Sequence, residues 1–315
     1  MTVRTYRWDD ASAPVLTGNA GDYKLIDVLD KCLVAGYGSK SAAGWTKEFT
    51  GTGKAVFKQG TGSNAMRLRV DCSSSSQTPR LRGYEVMTDV DTGTGPFPTD
   101  AQLSGGCYAF CSNTANTTER PWMVVATEKC FYLYIGFNNT TVQGISGSSS
   151  YQPTYFFGDI TSLKSGDAYH TLLIADTSGS EYANMFAAAA SINTACNGCF
   201  MSRSHTQIGG SITIGKAHDY HRGNTATFGG GAGGTAYPDP VTGGMLLEVI
   251  RIFEPSAIVT RGTMPGCYVP LHLLPGNPGD TFTGNGTLAG KSFILWDTNN
   301  AGTRGRIALE TSDTW

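Results

Sequence analysis

From residue 46 onward the chain never sustains a helical period, and this constrains its fold more than any other feature. Apolar residues alternate with polar ones or gather into short runs, and Gly, Asn, Ser or Pro closes each run. The runs fall at 46–49, 55–59, 66–72, 80–87, 107–111, 122–127 and 130–137, then at 155–157, 171–175, 199–204 and 211–215. The last are 245–253, 268–274, 292–297 and 306–310. Short β-branched and aromatic segments punctuated by turn residues predict antiparallel strands. The stretches 50–54 and 127–129 read as hairpin connections. The expected class is therefore mainly β, a sandwich-like or jelly-roll-like body. Both architectures share this rhythm, so the choice between them stays open.

One segment breaks the pattern. Between about 22 and 35, Leu25, Val28, Leu29, Cys32 and Leu33 recur at spacings of three and four, the stripe of a short amphipathic helix. Asp22 at its amino end suits the helix dipole and Gly36 suits its stop. Residues 1–20 read as an extended N-terminal arm with Tyr6, Trp8 and Val15 as anchors, because Pro14 forbids a helix there. Residues 21–315 form the β-rich body, and a division into two β-subdomains falls most naturally near 150. The stretches 138–150 and 226–240 read as long contact loops.

Composition narrows the partners. Charged residues make up only 15% of the chain and Gly numbers 41, against roughly a quarter charged in an ordinary domain. So little charge protects a free monomer poorly, which points to a surface covered by other subunits. The net charge of −2 gives no basic stripe for nucleic acid. Arg67, Arg69, Arg80 and Arg82 are spaced like one face of adjacent strands and read as a solvated sheet face or subunit contact. No apolar run reaches the roughly 18 residues of a membrane span. The opening residues lack the apolar stretch of a signal peptide, so a secreted route through the classical signal is not expected.

Motifs for chemistry are weak. Cys196 and Cys199 have the spacing of half a zinc site, with His205, His218 and His221 downstream, but a second knuckle is missing. The same Cys pair lacks the strand-to-helix setting of a thiol redox motif. No nucleophile elbow occurs in a strand–turn–helix context. Asp89, Asp91, Asp100 and Asp159 could supply paired carboxylates, although spacing alone places no two of them together. The 89–95 stretch is only superficially a calcium loop. No catalytic residue, cofactor or metal is expected. The bland role of these side chains is to bond local backbone in turns.

The chain has eight cysteines. Cys32 lies on the helix stripe and reads as a small buried hydrophobe. Cys72, Cys107, Cys111, Cys130, Cys196, Cys199 and Cys267 are the disulfide candidates, with at least one bond expected to join two chains. Cys107 and Cys111 point to one face of a presumed strand, too far apart to bridge each other. Their pairing cannot be read from spacing. Tyr6, Trp8, Trp45, Tyr220 and Tyr237 are the candidates for contact with neighbours.

Several blocks carry a resemblance. They are 25–49 (LIDVLDKCLVAGYGSKSAAGWTKEF), 66–70 (MRLRV) and 82–98 (RGYEVMTDVDTGTGPFP), followed by 120–122 (RPW), 165–170 (SGDAYH) and 310–315 (ETSDTW). Together they resemble a family of virion structural proteins of tailed bacteriophages, over nearly the whole chain. The resemblance implies a non-enzymatic particle component with no catalytic residues to carry over. The abundance of cysteine departs from that family and is more similar to disulfide-reinforced virions, whose capsid decoration proteins are cross-linked to neighbours. A minor capsid or decoration protein on the outer capsid surface is the first expectation. Its partners would be the major capsid protein and small capsid linking proteins, and it would form a homo-oligomer, with a trimer the common solution. A tail, collar or baseplate protein is one alternative. A displayed receptor- or carbohydrate-binding β-sandwich using Trp45, Tyr151, Tyr220 or Tyr237 is another.

Overall fold

A computed structural model describes residues 2–138, 154–177, 196–217, 238–257, 259–271, 277–300, 303–312 and 315. The protein is mainly β, with three antiparallel sheets and one short helical segment near its start. The first sheet is a meander of Thr46–Gly51, Lys54–Lys58, Arg67–Asp71, Arg80–Met87 and Gly93–Phe97, with Cys107–Tyr108 beside Arg80 and Leu81. The central sheet runs Arg4–Arg7, Trp122–Ala126, Cys130–Ile135, Thr154–Asp159, Thr171–Ile174, Cys199–Met201 and Ile212–Thr213. The third sheet runs Gly215–Ala217, Leu247–Glu254, Val259–Pro270, Thr303–Glu310, Ser292–Asn300 and Thr281–Thr283. Thr161–Ser162 pairs with its longest strand.

These sheets pack as three layers. Side chains on a strand alternate between faces, and the central strands bury both sets. Val124, Phe131, Leu133, Phe157 and Leu173 face Phe57, Leu68, Val70 and Phe97 of the first sheet. Val125, Tyr132, Tyr134, Phe156 and Leu172 face Ile252, Cys267, Trp296 and Leu309 of the third. Aromatic contacts tie the layers together. Phe97 stacks on Phe157 at 6.0 Å between ring centres, and Tyr134 meets Trp296 at 5.7 Å. Antiparallel sheets commonly leave one face to water. This one has none, which is why Trp122–Ala126 and Cys130–Ile135 are apolar at nearly every position and buried throughout.

The helical segment is where the stripe placed it. An α-helix spans Lys24–Asp30 and continues as a π-helical turn, Lys31–Ala35, before Gly36 turns the chain at φ 78°. Leu25, Val28, Leu29, Cys32 and Leu33 bury in the first core. Tyr23 holds the N-cap position in a left-handed conformation with no side-chain cap bond. No described helix is long and apolar enough to cross a membrane.

The arm folds back on its own body. Arg4–Arg7 forms the edge of the central sheet, antiparallel to Trp122–Ala126, and Trp122 Nε1 donates to Pro14 O at 3.0 Å. Strands on either side of residue 150, Cys130–Ile135 and Thr154–Asp159, are hydrogen-bonded neighbours. Residues 139–153 between them lie outside the described residues. Gly93–Phe97 and most of Val259–Pro270 escaped the sequence reading for the same reason. Gly93–Phe97 contains Pro96, and Val259–Pro270 contains Gly262, Pro265 and Gly266, so both resemble turns.

Candidate functional site

The densest set of chemically capable side chains lies where the first and central sheets meet. Asp159 ends the strand Thr154–Asp159, and its register partner Thr171 opens Thr171–Ile174. Gln59 follows the strand Lys54–Lys58, and Asn64 sits in the turn that leads to the next. Asp159 Oδ1 accepts from Thr171 Oγ1 at 2.6 Å and from Gln59 Nε2 at 3.0 Å. Its Oδ2 accepts from Asn64 N at 2.8 Å, with His170 Nε2 at 3.8 Å. Gln59 Oε1 accepts from Met66 N at 2.9 Å, and Asn64 Nδ2 donates to Thr171 Oγ1 at 3.3 Å. His170 Nδ1 lies against Asp167 O and 3.2 Å from Asn64 Nδ2. A buried carboxylate needs such partners, because an unpaired one loses its hydration without compensation.

Beside this network is a cavity of about 200 Å³, with Lys129, Cys130, Asp159, His170, Pro265 and Trp315 in its lining. Cysteine, histidine and aspartate thus line one space, the residue types of a thiol nucleophile and its base. The chemistry does not follow. Burial pushes the Cys130 thiol up to about 12, despite its contact with Thr127 Oγ1 at 3.6 Å. A thiol held protonated is a poor nucleophile.

A second buried cluster joins the third sheet to the loop before Thr171. Arg261, 1% exposed, donates through Nη1 to Glu254 Oε1 at 2.5 Å and through Nη2 to Asp167 Oδ2 at 2.6 Å. Asp167 also accepts from Ser162 Oγ at 2.9 Å, and Glu254 Oε2 holds His205 Nδ1 at 2.8 Å. Burial alone would raise the Asp167 carboxyl, but its bond to Arg261 and that cation's charge outweigh burial and hold it below the usual range. The arrangement fixes two segments to each other.

The remaining candidates are spread apart. Asp91 pairs with Lys54 at 2.9 Å and with Arg69, and Asp100 pairs with Arg82 at 2.6 Å. The calcium-like stretch therefore has a carboxylate already neutralised by protein cations. Arg67 pairs with Glu48 at 2.9 Å and Arg80 lies over the Tyr108 ring at 3.4 Å. The arginine face is thus tied internally rather than open to an anion. Among the described residues no group of three or more His, Cys, Asp or Glu could hold a metal ion. Cys196 and Cys199 bury in the core between the central and third sheets. His218 and His221 lie outside the described residues, as do Tyr151, Tyr220 and Tyr237.

The cysteines are not at accessible edges. All eight are buried, Cys196 at 5% being the most exposed. Cys107–Tyr108 is a two-residue strand, so Cys107 and Cys111 share a core rather than one strand face. In this packing the expected intermolecular disulfides lack an exposed sulfur. Burial also raises the Cys72 thiol to about 12 and Cys32, Cys107 and Cys111 well upward. Tyr6 and Trp45 are likewise core residues, with Tyr6 Oη donating to Ser41 O at 2.7 Å and Trp45 Nε1 to Thr127 O at 2.8 Å. Trp8 is half-buried beneath Arg7.

Sequence reading missed Gln59, Asn64, Thr171 and Arg261. Each is a lone polar residue in or beside a strand, and nothing in local spacing shows that they converge. Neither the known protein families nor the curated proteins contain a match to this chain.

Proposed function

We propose that the chain is a non-enzymatic structural protein of a tailed-bacteriophage virion, seated on the capsid shell against the major capsid protein. The observation that carries the structural role is how the ionisable groups are used. Asp91, Asp100, Asp167, Glu48 and Glu254 each hold a cation of the same chain. Groups committed in this way brace a framework and are poorly placed to exchange protons with a substrate.

Two further features favour assembly. The surface is poor in charge. Leu163 and Ile208, 68% and 78% exposed, stand on loops joined by bonds from Lys164 Nζ to His205 O and from Gln207 Nε2 to Gly166 O. Such a spot is suited to burial against a neighbouring subunit. The placement on a virion, and on its capsid, rests on the resemblance in blocks 25–49 and 82–98. Because the thiols are buried, the reading relies on non-covalent contacts rather than disulfides to other chains.

Chemical cross-linking of intact particles through lysine, followed by peptide mass spectrometry, tests this. Links to the major capsid protein or to small capsid linking proteins are expected. Links confined to sheath, collar or baseplate proteins would move the chain to the tail, and its absence from purified particles would overturn the virion role.

A further inference from the structure

We propose that Thr171 and Gln59 become joined by an intramolecular ester bond, a self-made staple between the central and first sheets. The two side chains meet at one atom. Asp159 Oδ1 accepts both the Thr171 hydroxyl, at 2.6 Å, and the Gln59 amide nitrogen, at 3.0 Å. A single carboxylate oxygen therefore touches the proton of the nucleophile and the nitrogen of the leaving group, the position a general base needs if it is to return the proton as a general acid.

Further contacts around it favour acyl transfer. Met66 N–H donates to Gln59 Oε1 at 2.9 Å, so the carbonyl is polarised by a fixed backbone donor where negative charge would develop. Asn64 Nδ2 donates to Thr171 Oγ1 at 3.3 Å, which leaves the hydroxyl proton directed at Asp159. The Asn64 backbone N–H binds Asp159 Oδ2 at 2.8 Å, which fixes this residue against the same carboxylate. Gln59 is 3% exposed, Asp159 5% and Thr171 0%. Reacting groups fixed in one place gain from proximity, and the burial of Thr171 and Gln59 shields an ester between them from bulk water.

The step balances without a co-reactant. Thr171 Oγ1 bonds to Gln59 Cδ while Asp159 takes the hydroxyl proton. The Cδ–Nε2 bond then breaks as Asp159 returns that proton to nitrogen. One ester forms, one ammonia leaves, and nothing is oxidised or reduced. Asp159 is the catalytic residue; Asn64 is a positioning residue.

The test is the mass of the denatured, purified full chain, followed by peptide mapping. The expected result is a mass one ammonia below that of the sequence, with a branched peptide linking Gln59 to Thr171. Thr171→Ser should keep the loss, because it keeps the hydroxyl. Thr171→Val and Asp159→Asn should restore the full mass, with folding checked by circular dichroism. A wild-type chain at full mass overturns the proposal whatever the variants do. So does an ammonia loss found in a linear peptide, as cyclisation at Asn64 would give. The readout concerns the isolated chain, so it is independent of any placement on a particle.

Discussion

Replacing Arg261 with methionine is the sharpest test of how the third sheet is held to the rest of the body. Methionine fills a comparable volume but withdraws the cation from two carboxylates. Asp167 and Glu254 lie 2.6 and 2.5 Å from the guanidinium, and their side chains are 0% and 3% exposed. Stranding buried charge by removing one partner costs about 3–5 kcal/mol. The sum of the two contacts is not twice that, because they share one cation. Asp167 retains Ser162 Oγ at 2.9 Å and Tyr169 N at 3.1 Å, and these keep the loss within the range rather than above it.

The pH dependence has a definite sign. In the wild-type fold the Asp167 carboxyl is held below its ordinary value, burial being outweighed by Arg261. A depressed carboxyl contributes stability that is present above the unfolded-state value of about 3.9. That stability is lost as pH falls through the lower folded value. Without Arg261 the largest causes of the depression are gone, so Arg261→Met should cost most near neutrality and least in acid. Urea unfolding followed by tryptophan fluorescence at both pH values measures the difference. The variant Arg261→Met with Asp167→Asn and Glu254→Gln should lose less than the single change, because no charge is stranded. A single-variant loss under about 1 kcal/mol, typical of exposed ion pairs, would refute the reasoning. A triple variant less stable than the single one would refute it too.

Three other outcomes follow from the packing. The eight buried thiols should resist a water-soluble thiol reagent in the native chain and react once it is denatured; rapid native labelling, or disulfide-linked dimers on a non-reducing gel, would contradict that burial. Gly266→Ala should destabilise by about 1–3 kcal/mol, as for overpacking, because a Cβ at φ 58° would lie 2.3 Å from the Trp315 ring; an unchanged urea midpoint would exclude that contact. Tyr132→Phe removes the donor to Pro265 O, 2.8 Å away, and should cost about 1–3 kcal/mol as an unsatisfied buried acceptor, read as a lower midpoint with an unchanged slope.

Much of the fold is legible because the side-chain period is a local property. The alternation at Arg67–Asp71 and the stripe from Leu25 to Leu33 each record one buried face, and each became the expected element. Gly93–Phe97 and Val259–Pro270 were illegible because Pro and Gly are read as turns, whereas here Gly266 makes room for the Trp315 ring. Arrangement of the sheets is a different matter. The apolar runs in Trp122–Ala126, Cys130–Ile135 and Thr171–Ile174 are too continuous for an antiparallel strand with one wet face. They carried the signal of a sheet covered on both sides, but a short apolar run alone does not reveal what covers it.

The three-layer arrangement also accounts for the cysteines and the polar cluster together. A sheet with two buried faces needs about twice the apolar lining of one with a wet face, and cysteine serves as a small hydrophobe in such places. Cys130 and Cys199 line the face toward the third sheet, whereas Cys32, Cys72, Cys107 and Cys111 line the core shared with the first. The same covering closes over strand ends that would otherwise meet water, and any polar side chain there must find a partner inside the protein. Asp159, Thr171, Gln59 and Asn64 are the polar residues so enclosed at the seam of two layers. Their convergence is thus a product of tertiary burial acting on residues far apart in the chain. It could not be read from neighbours in the sequence, and it is the place where a layered, charge-poor protein brings reactive groups together out of water.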